Sequence, residues 1–371
     1  MTSSRRWAVV AALVLLVVGV PLGWQARPAG DPAVGAAELL SRVRASEGRG
    51  YSGYVETTGT LQLPVTDRFT DIGALFGESN RLRVWWRSAD HWRVDRLLTT
   101  GETDLVHDLN LTTEWDYERG AARRSVDPGI RLPRTADLLP TTLAHRLLDD
   151  VDAAQVTRVP AVRVAGRDAP GLRLEPGSRQ SSIDHVDLWA DPDTGLPLAV
   201  EVYDAADVDP VFSTRFRELS TTPPDRSRTR FAPPPGADVS FEEVLDIADA
   251  ADQFAPFVPP VSLAGLARSA SSRGAVGVYG AGLTQVLAIP LWSRAADPLR
   301  EQLTRTPGVR SVDEGTVLRV GPLGVLLTDR MTGEEGYGGG WLLTGTVTDR
   351  TLLTAADDLL AGARYDEGRY P

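Results

Sequence analysis

The chain has 371 residues, 42% of them apolar, with 39 basic against 50 acidic side chains and a net charge of −11. That length suits two domains of about 100–200 residues each, and the apolar content is that of ordinary globular cores. The acidic balance repels phosphate backbones and argues against a nucleic-acid partner, while the absence of cysteine excludes disulfides, thiolate zinc sites, a cysteine nucleophile and a lipobox.

At the N-terminus Arg5 and Arg6 precede an uncharged, mostly apolar run from Trp7 to Trp24. A basic end followed by such a run reads as an export or anchoring segment. The positive-inside preference makes residues 1–6 a cytoplasmic tail and places the remaining chain outside. A cut after Ala26 would put bulky Trp24 at the −3 position, so 7–24 is read as an uncleaved anchor, with cleavage and secretion as the alternative. Residues 25–35, rich in Pro, Gly and Ala, form a spacer.

An amphipathic helix follows from Ala36, with Leu39, Leu40 and Val43 at helical spacing, ended near Gly48 and Gly50. From Tyr51 the period changes to two. Tyr51–Leu63 is predicted to be a strand, 65–80 a looser insertion with one helical turn, and 81–88, 91–99, 103–110 and 111–119 four further strands. In the last of these Leu111, Thr113, Trp115 and Tyr117 share one face and Glu114, Asp116 and Glu118 the other, the mark of an antiparallel sheet with one wet face. Residues 135–152 return to helical spacing through Leu138, Leu139, Leu143, Leu147 and Leu148. Strands at 156–165 and 171–175, a hairpin at 185–204 and a strand at 211–219 complete the series.

The hairpin is the clearest element. Val186, Leu188 and Ala190 line one face before the turn, and Leu198, Val200 and Val202 repeat the pattern after it. Between them Asp191 can bond the backbone ahead, Pro192 presets φ and Gly195 can take positive φ. Proline clusters at 220–265 bracket a short acidic helix near 241–250 and mark a boundary. Beyond it come strands at 275–279 and 283–291, a helix at 297–305, strands at 309–320, 322–329 and 341–347, and a last helix at 350–361. The order of elements implies an α+β protein: a broad antiparallel sheet with one face covered by helices, then a smaller α+β unit.

The run Leu188-Trp-Ala-Asp-Pro-Asp-Thr-Gly-Leu-Pro-Leu198 resembles the signature hairpin of the LolA/LolB-like lipoprotein-carrier superfamily. Tyr51-Ser-Gly-Tyr-Val-Glu is similar to its first strand, and Phe231-Ala-Pro-Pro-Pro-Gly-Ala to the terminus of its barrel domain. Val278-Tyr-Gly-Ala-Gly-Leu283 and the strand and helix from Trp341 to Ala361 resemble the small C-terminal domain of the two-domain sigma-E regulatory (RseB/MucB-like) branch. The resemblance implies an open antiparallel β-barrel over 36–235 with helices over its concave face, a proline-rich linker over 236–265 and a small α+β domain over 266–371. It further implies an extracytoplasmic, non-enzymatic binding or regulatory protein without a cofactor. Its ligand would be a lipid or lipoprotein acyl chain, and its protein partner an anti-sigma-factor-type membrane protein. A carrier without a regulatory role, and an adaptor whose cavity is filled by its own side chains, are the alternatives.

No constellation argues for catalysis or a metal. Strand alternation turns Asp184 away from His185 and Asp187, and His107 beside Asp104 and Asp108 fails in the same way. Asp193-Thr-Gly195 is one copy of a motif that aspartic proteases need twice, and the turn already explains it. His145 is expected at a solvated position on the second helix. The tryptophans are the more informative residues. Most suit core packing between sheet and helices, yet apolar ligand sites are lined by such side chains. Trp86, Trp92, Trp115, Tyr117, Leu188 and Val200 are the candidate lining of an acyl-chain cavity, with Trp115 and Tyr117 foremost.

Overall fold

The computed structural model describes residues 29–61, 70–128, 130–149, 151–206, 208–242, 246–255, 257–332 and 338–365. The tail and anchor expected at 1–24, and part of the spacer and of the 65–80 insertion, lie outside them. No helix among the described residues is long and apolar enough to cross a membrane.

Twelve strands form the first sheet: β1 (Tyr51–Gly59), β2 (Ser79–Ser88), β3 (His91–Leu97), β4 (Glu102–Asp108), β5 (Leu111–Asp116), β6 (Ala121–Val126), β7 (Val156–Val164), β8 (Arg167–Leu174), β9 (Ile183–Ala190), β10 (Pro197–Asp204), β11 (Phe212–Ser220) and β12 (Asp238–Phe241). Their order is β12-β6-β5-β4-β3-β2-β1-β11-β10-β9-β8-β7. Two hairpin meanders, β1 to β6 and β7 to β11, thus meet where β1 pairs with β11, and β12 adds in parallel to β6. The ends of this order, β12 and β7, are not paired with each other. Expectation and structure agree on a mostly β chain with few helices.

Three helices belong to this sheet: α1 (Ala36–Ala45), α2 (Thr70–Gly77) and α3 (Pro140–Leu148). Proline at the first position of α3 costs no hydrogen bond, because that N–H has no partner in a helix anyway. Helix α1 lies on β7, β8 and α3, helix α3 on β10 and β11, and α2 on β1. Leu39, Leu40 and Val43 of α1 and Ala144 and Leu148 of α3 pack with Leu172, Val186, Leu188 and Val200 of the sheet. The stripe read on the first helix is therefore the one that is buried. The second helix expected over 135–152 is the shorter α3, preceded by a 3-10 turn at Thr135–Leu138. Of its stripe, Leu138, Leu139 and Leu148 are buried, while Leu143 and Leu147 are half-buried. His145 departs from expectation: its Nε2 lies 3.1 Å from both the Val43 carbonyl and Ser46 Oγ, joining α3 to α1 rather than facing water.

The second sheet contains six strands: β16 (Gly277–Ala281), β17 (Thr284–Leu291), β18 (Arg310–Val312), β19 (Gly315–Val320), β20 (Leu323–Thr328) and β21 (Gly340–Gly345), in the order β16-β17-β21-β20-β19-β18. The single strand expected over 309–320 is a tight hairpin instead, turning at Asp313 and Glu314. Short pairs β13 (Phe257–Val258) with β22 (Arg364–Tyr365), and β14 (Ser262–Leu263) with β15 (Leu266–Ala267), flank this sheet. Helices α4 (Ile247–Phe254), α5 (Ser293–Thr304) and α6 (Asp349–Gly362) pack on it. Its core centres on Trp341, which is fully buried and whose Nε1 donates to the Met331 carbonyl at 2.7 Å.

The segment between β8 and β9 ties the two sheets together. The Ser182 N–H donates to Thr346 O at 3.2 Å, the Thr348 N–H to Gln180 O at 2.8 Å, and Gln180 Nε2 to Ala264 O at 2.9 Å. Leu283 of the second unit is buried in the cluster formed beneath α1 and α3.

Candidate functional site

The face of the first sheet that carries the helices is apolar by alternation. Val55, Leu82, Val84, Val94 and Leu105 project from it and form one buried cluster with Leu138 and Leu139. At one edge of this face the strand register aligns Tyr51 with Trp86, Trp86 with Trp92, and Trp92 with His107. The rings make a ladder. Tyr51 and Trp86 stack with centroids 6.1 Å apart, Trp86 and Trp92 at 5.5 Å, and Trp92 and His107 at 5.2 Å, none tilted by more than 14°. Cross-strand aromatic neighbours stabilise a sheet beyond the area they bury, by about 0.5–1.5 kcal/mol a pair.

Both ends of the ladder are anchored by hydroxyls. Tyr51 Oη lies 2.5 Å from Thr141 Oγ1 in the first turn of α3, and His107 Nδ1 lies 2.9 Å from Thr112 Oγ1 on β5. Burial, which disfavours the charged forms, raises the Tyr51 phenol and lowers the His107 imidazole. The ladder is therefore neutral at ordinary pH, as an apolar surface requires.

Of the six candidate lining residues, four share this face. Trp86 and Trp92 stand in the ladder. Leu188 and Val200 are cross-strand partners further along the sheet, both 0% exposed beneath α1 and α3. Trp115 is cross-strand from Asp104 and so faces the opposite side of the sheet. There it is buried against Phe231, with centroids 5.5 Å apart, beneath the segment that follows β11. Tyr117 lies past the end of β5 and is 70% exposed. Trp115 and Tyr117 thus do not join the others, and Tyr51 and His107, which do, were not among the candidates. Their signal was present in the sequence as aromatic residues at matching strand positions, but register had to be known to use it.

The opposite face carries a charged network. Asp95 and Asp104 are directly cross-strand, and both are buried. Arg93 donates to both, with its Nε 2.5 Å from Asp95 Oδ1 and an Nη 2.7 Å from Asp104 Oδ2. Arg83 donates to Glu102 at 2.6 Å. Carboxylate oxygens of Asp95, Glu102 and Asp104 lie within 4.8 Å of one another, but Arg83 and Arg93 already supply the positive charge that a metal would bring. Burial first, and then the charge of Asp95, push the Asp104 carboxyl up to about 8, against the opposing pull of Arg93.

No protein-family model matches the sequence, and no curated protein matches it. Among solved structures, the Pseudomonas aeruginosa MucA/MucB complex matches at 18% identity, covering 90% of this chain and 99% of that one, with a TM-score of 0.50. A structure of MucB with MucA(peri) matches at 17% identity over 90% of this chain and 100% of that one, with a TM-score of 0.49. A LolA-superfamily protein from Nitrosomonas europaea matches at 11% identity, covering 54% of this chain and 99% of that one, with a TM-score of 0.25. The resemblance to the two-domain MucB-like branch, drawn from the hairpin and its companion motifs, holds at the level of the fold.

Proposed function

We propose that this chain is an extracytoplasmic, non-enzymatic regulator that binds a protein partner. The observation that carries the reading is the pairing of two sheets in one chain, alignable over 90% of its length with the MucA/MucB complex structure. The partner is an anti-sigma-factor-type membrane protein, and residues 7–24 hold the regulator at the membrane beside it. The first domain, 36–235, is an open barrel whose concave, helix-covered face takes a lipid or lipoprotein acyl chain. The ladder of Tyr51, Trp86, Trp92 and His107 supports that placement, because apolar ligand sites are lined by such rings. A ligand there alters the partner contact only by binding two states of the chain unequally.

A second reading is favoured by Leu188 and Val200, both 0% exposed beneath the protein's own helices. Here the concavity is filled by α1 and α3, and the chain is a protein adaptor without a lipid. Crosslinking of the full chain in its membrane, followed by affinity capture and mass spectrometry, tests the shared claim. Recovery of one single-pass membrane protein is expected, and its absence overturns both readings. Mass spectrometry of a solvent extract of the same material separates them: a stoichiometric lipid supports the first, lipid-free protein the second.

A further inference from the structure

On the face away from the helices, the short 3-10 turn Arg226–Thr229 lies across β2, β3 and β4. Between the turn and the strands is a pocket of about 170 Å³ lined by Arg83, Trp85, Arg93, Asp95 and Arg228. That volume is close to the ~150 Å³ of a cavity known to take a benzene-sized guest. Its shape follows from register. Trp85 and Arg93 are cross-strand partners, as are Arg83 and Asp95, so two pairs on neighbouring strands make the floor.

Three guanidinium groups converge on the indole of Trp85, with Arg93 at 5.5 Å and Arg83 and Arg228 each at 5.9 Å from the ring centre. Two of them have carboxylate partners: Arg93 holds Asp95 and Asp104, and Arg83 holds Glu102 and lies 3.6 Å from Asp95. Arg228 forms no ion pair with a carboxylate of the described residues, and its charge acts on Asp225, the cap of its own turn. The buried Arg83 Nε also has no hydrogen-bond acceptor.

The turn that carries Arg228 is fixed rather than loose. Asp225 caps it by accepting from the Ser227 N–H at 2.9 Å, Thr229 is buried, and Arg87 donates to the Pro224 carbonyl at 3.0 Å. Phe231 is seated on Trp115 just beyond. A cation held over a preformed pocket is arranged to meet an anion without further ordering.

We propose that this pocket binds a carboxylate group through Arg228, Arg83 and Arg93, against Trp85. A planar carboxylate matches the fork of guanidinium donors. Asp95 lines the pocket as well, but both of its oxygens are taken by Arg93. Asp104, raised by burial, leaves the local balance positive near neutral pH. The carboxylate can belong to a free organic acid or to an acidic side chain of a peptide, and the site is independent of the partner and lipid readings above.

Calorimetric titration of the full chain in non-ionic detergent tests the assignment. The probes are benzoate and an acetylated, amidated Ala-Glu-Ala peptide, with benzamide and the corresponding Ala-Gln-Ala peptide as isosteric neutral controls. Binding of either acid without its neutral control is expected, and which of the two binds more tightly names the source of the group. Arg228→Gln, at an exposed position without an ion pair, should leave the melting temperature unchanged and weaken binding about tenfold or more, the loss of one charge-assisted hydrogen bond. Arg228→Lys should recover part of it. Binding of neither acid at millimolar concentration, equal binding of acid and amide, or unchanged binding in Arg228→Gln would each overturn the proposal.

Discussion

The hydroxyl of Tyr51 on β1 lies 2.5 Å from Oγ1 of Thr141 on α3, and both residues are buried. This one bond joins the first strand to a helix that follows five strands later, at the foot of the aromatic ladder. Tyr51→Phe keeps the ring and its stacking on Trp86 but leaves the Thr141 hydroxyl without that partner. The expected cost is about 1–2 kcal/mol, read as a shift of the denaturation midpoint at unchanged slope. Tyr51→Phe with Thr141→Val should cost less than the sum of the single changes, since the pair is then removed together.

The hairpin turn is built to dock as well as to reverse the chain. Asp191 Oδ1 accepts from the Asp193 and Thr194 N–H groups at 3.0 and 2.8 Å, and Arg167 donates to Oδ2 at 2.5 Å. Burial pushes the Asp191 carboxyl up, but the bonds from Thr194 and Arg167 outweigh it and hold the group below the usual range. Gly195 has φ +73°, and a Cβ there would lie 2.2 Å from the Arg42 carbonyl of α1. Gly195→Ala is therefore expected to lose about 1–3 kcal/mol from strain and collision together. Equal stability of this variant and the parent in urea would refute the docking role.

That turn was legible in the sequence because its chemistry is local. Asp191, Pro192 and Gly195 specify the reversal wherever it sits, and the strands beside it alternate cleanly. Strand β6 was not legible: Ala121-Ala-Arg-Arg-Ser-Val126 has no period-two pattern, and its place comes from pairing with β5 on one side and β12 on the other. Alternation correctly grouped Leu111, Thr113 and Trp115, but period two says which residues share a face, not which face it is. Trp115 accordingly went to the side covered by Phe231, while Trp86 and Trp92 went to the helix side. The pocket at Trp85 was beyond sequence reading, since Arg228 reaches it from a turn more than a hundred residues downstream.

Asp104 makes stability depend on pH in an unusual direction. Its folded-state pKa of about 8 stands above the ordinary carboxylate value of 3.8. Between those limits the folded chain holds a proton that the unfolded chain has released, so this group's contribution falls as pH rises and levels off above the folded value. The parent is expected to melt at a lower temperature at pH 9 than at pH 6. Asp104→Asn, which cannot ionise, should shrink that difference, whereas a difference that persists in full would place its origin in other groups.

The two halves of the helix-covered face are expected to answer differently to truncation. Leu188 is 0% exposed between α1, α3 and the sheet, and truncating its side chain there leaves a cavity that the packed surroundings close only in part. Leu188→Ala should cost about 2–5 kcal/mol. Trp86 is only half-buried, and truncation removes its two stacking contacts with Tyr51 and Trp92. If an acyl chain rests on the ladder, Trp86→Ala should weaken uptake of a fluorescent acyl probe about tenfold, the loss of a modest apolar contact area. Leu188→Ala should leave the affinity of the remaining folded fraction unchanged. Probe affinity that follows Leu188 and ignores Trp86 would move the acyl site away from the ladder and beneath α1 and α3. No uptake by the parent would leave the ladder as packing and favour the adaptor whose concavity is closed by its own helices.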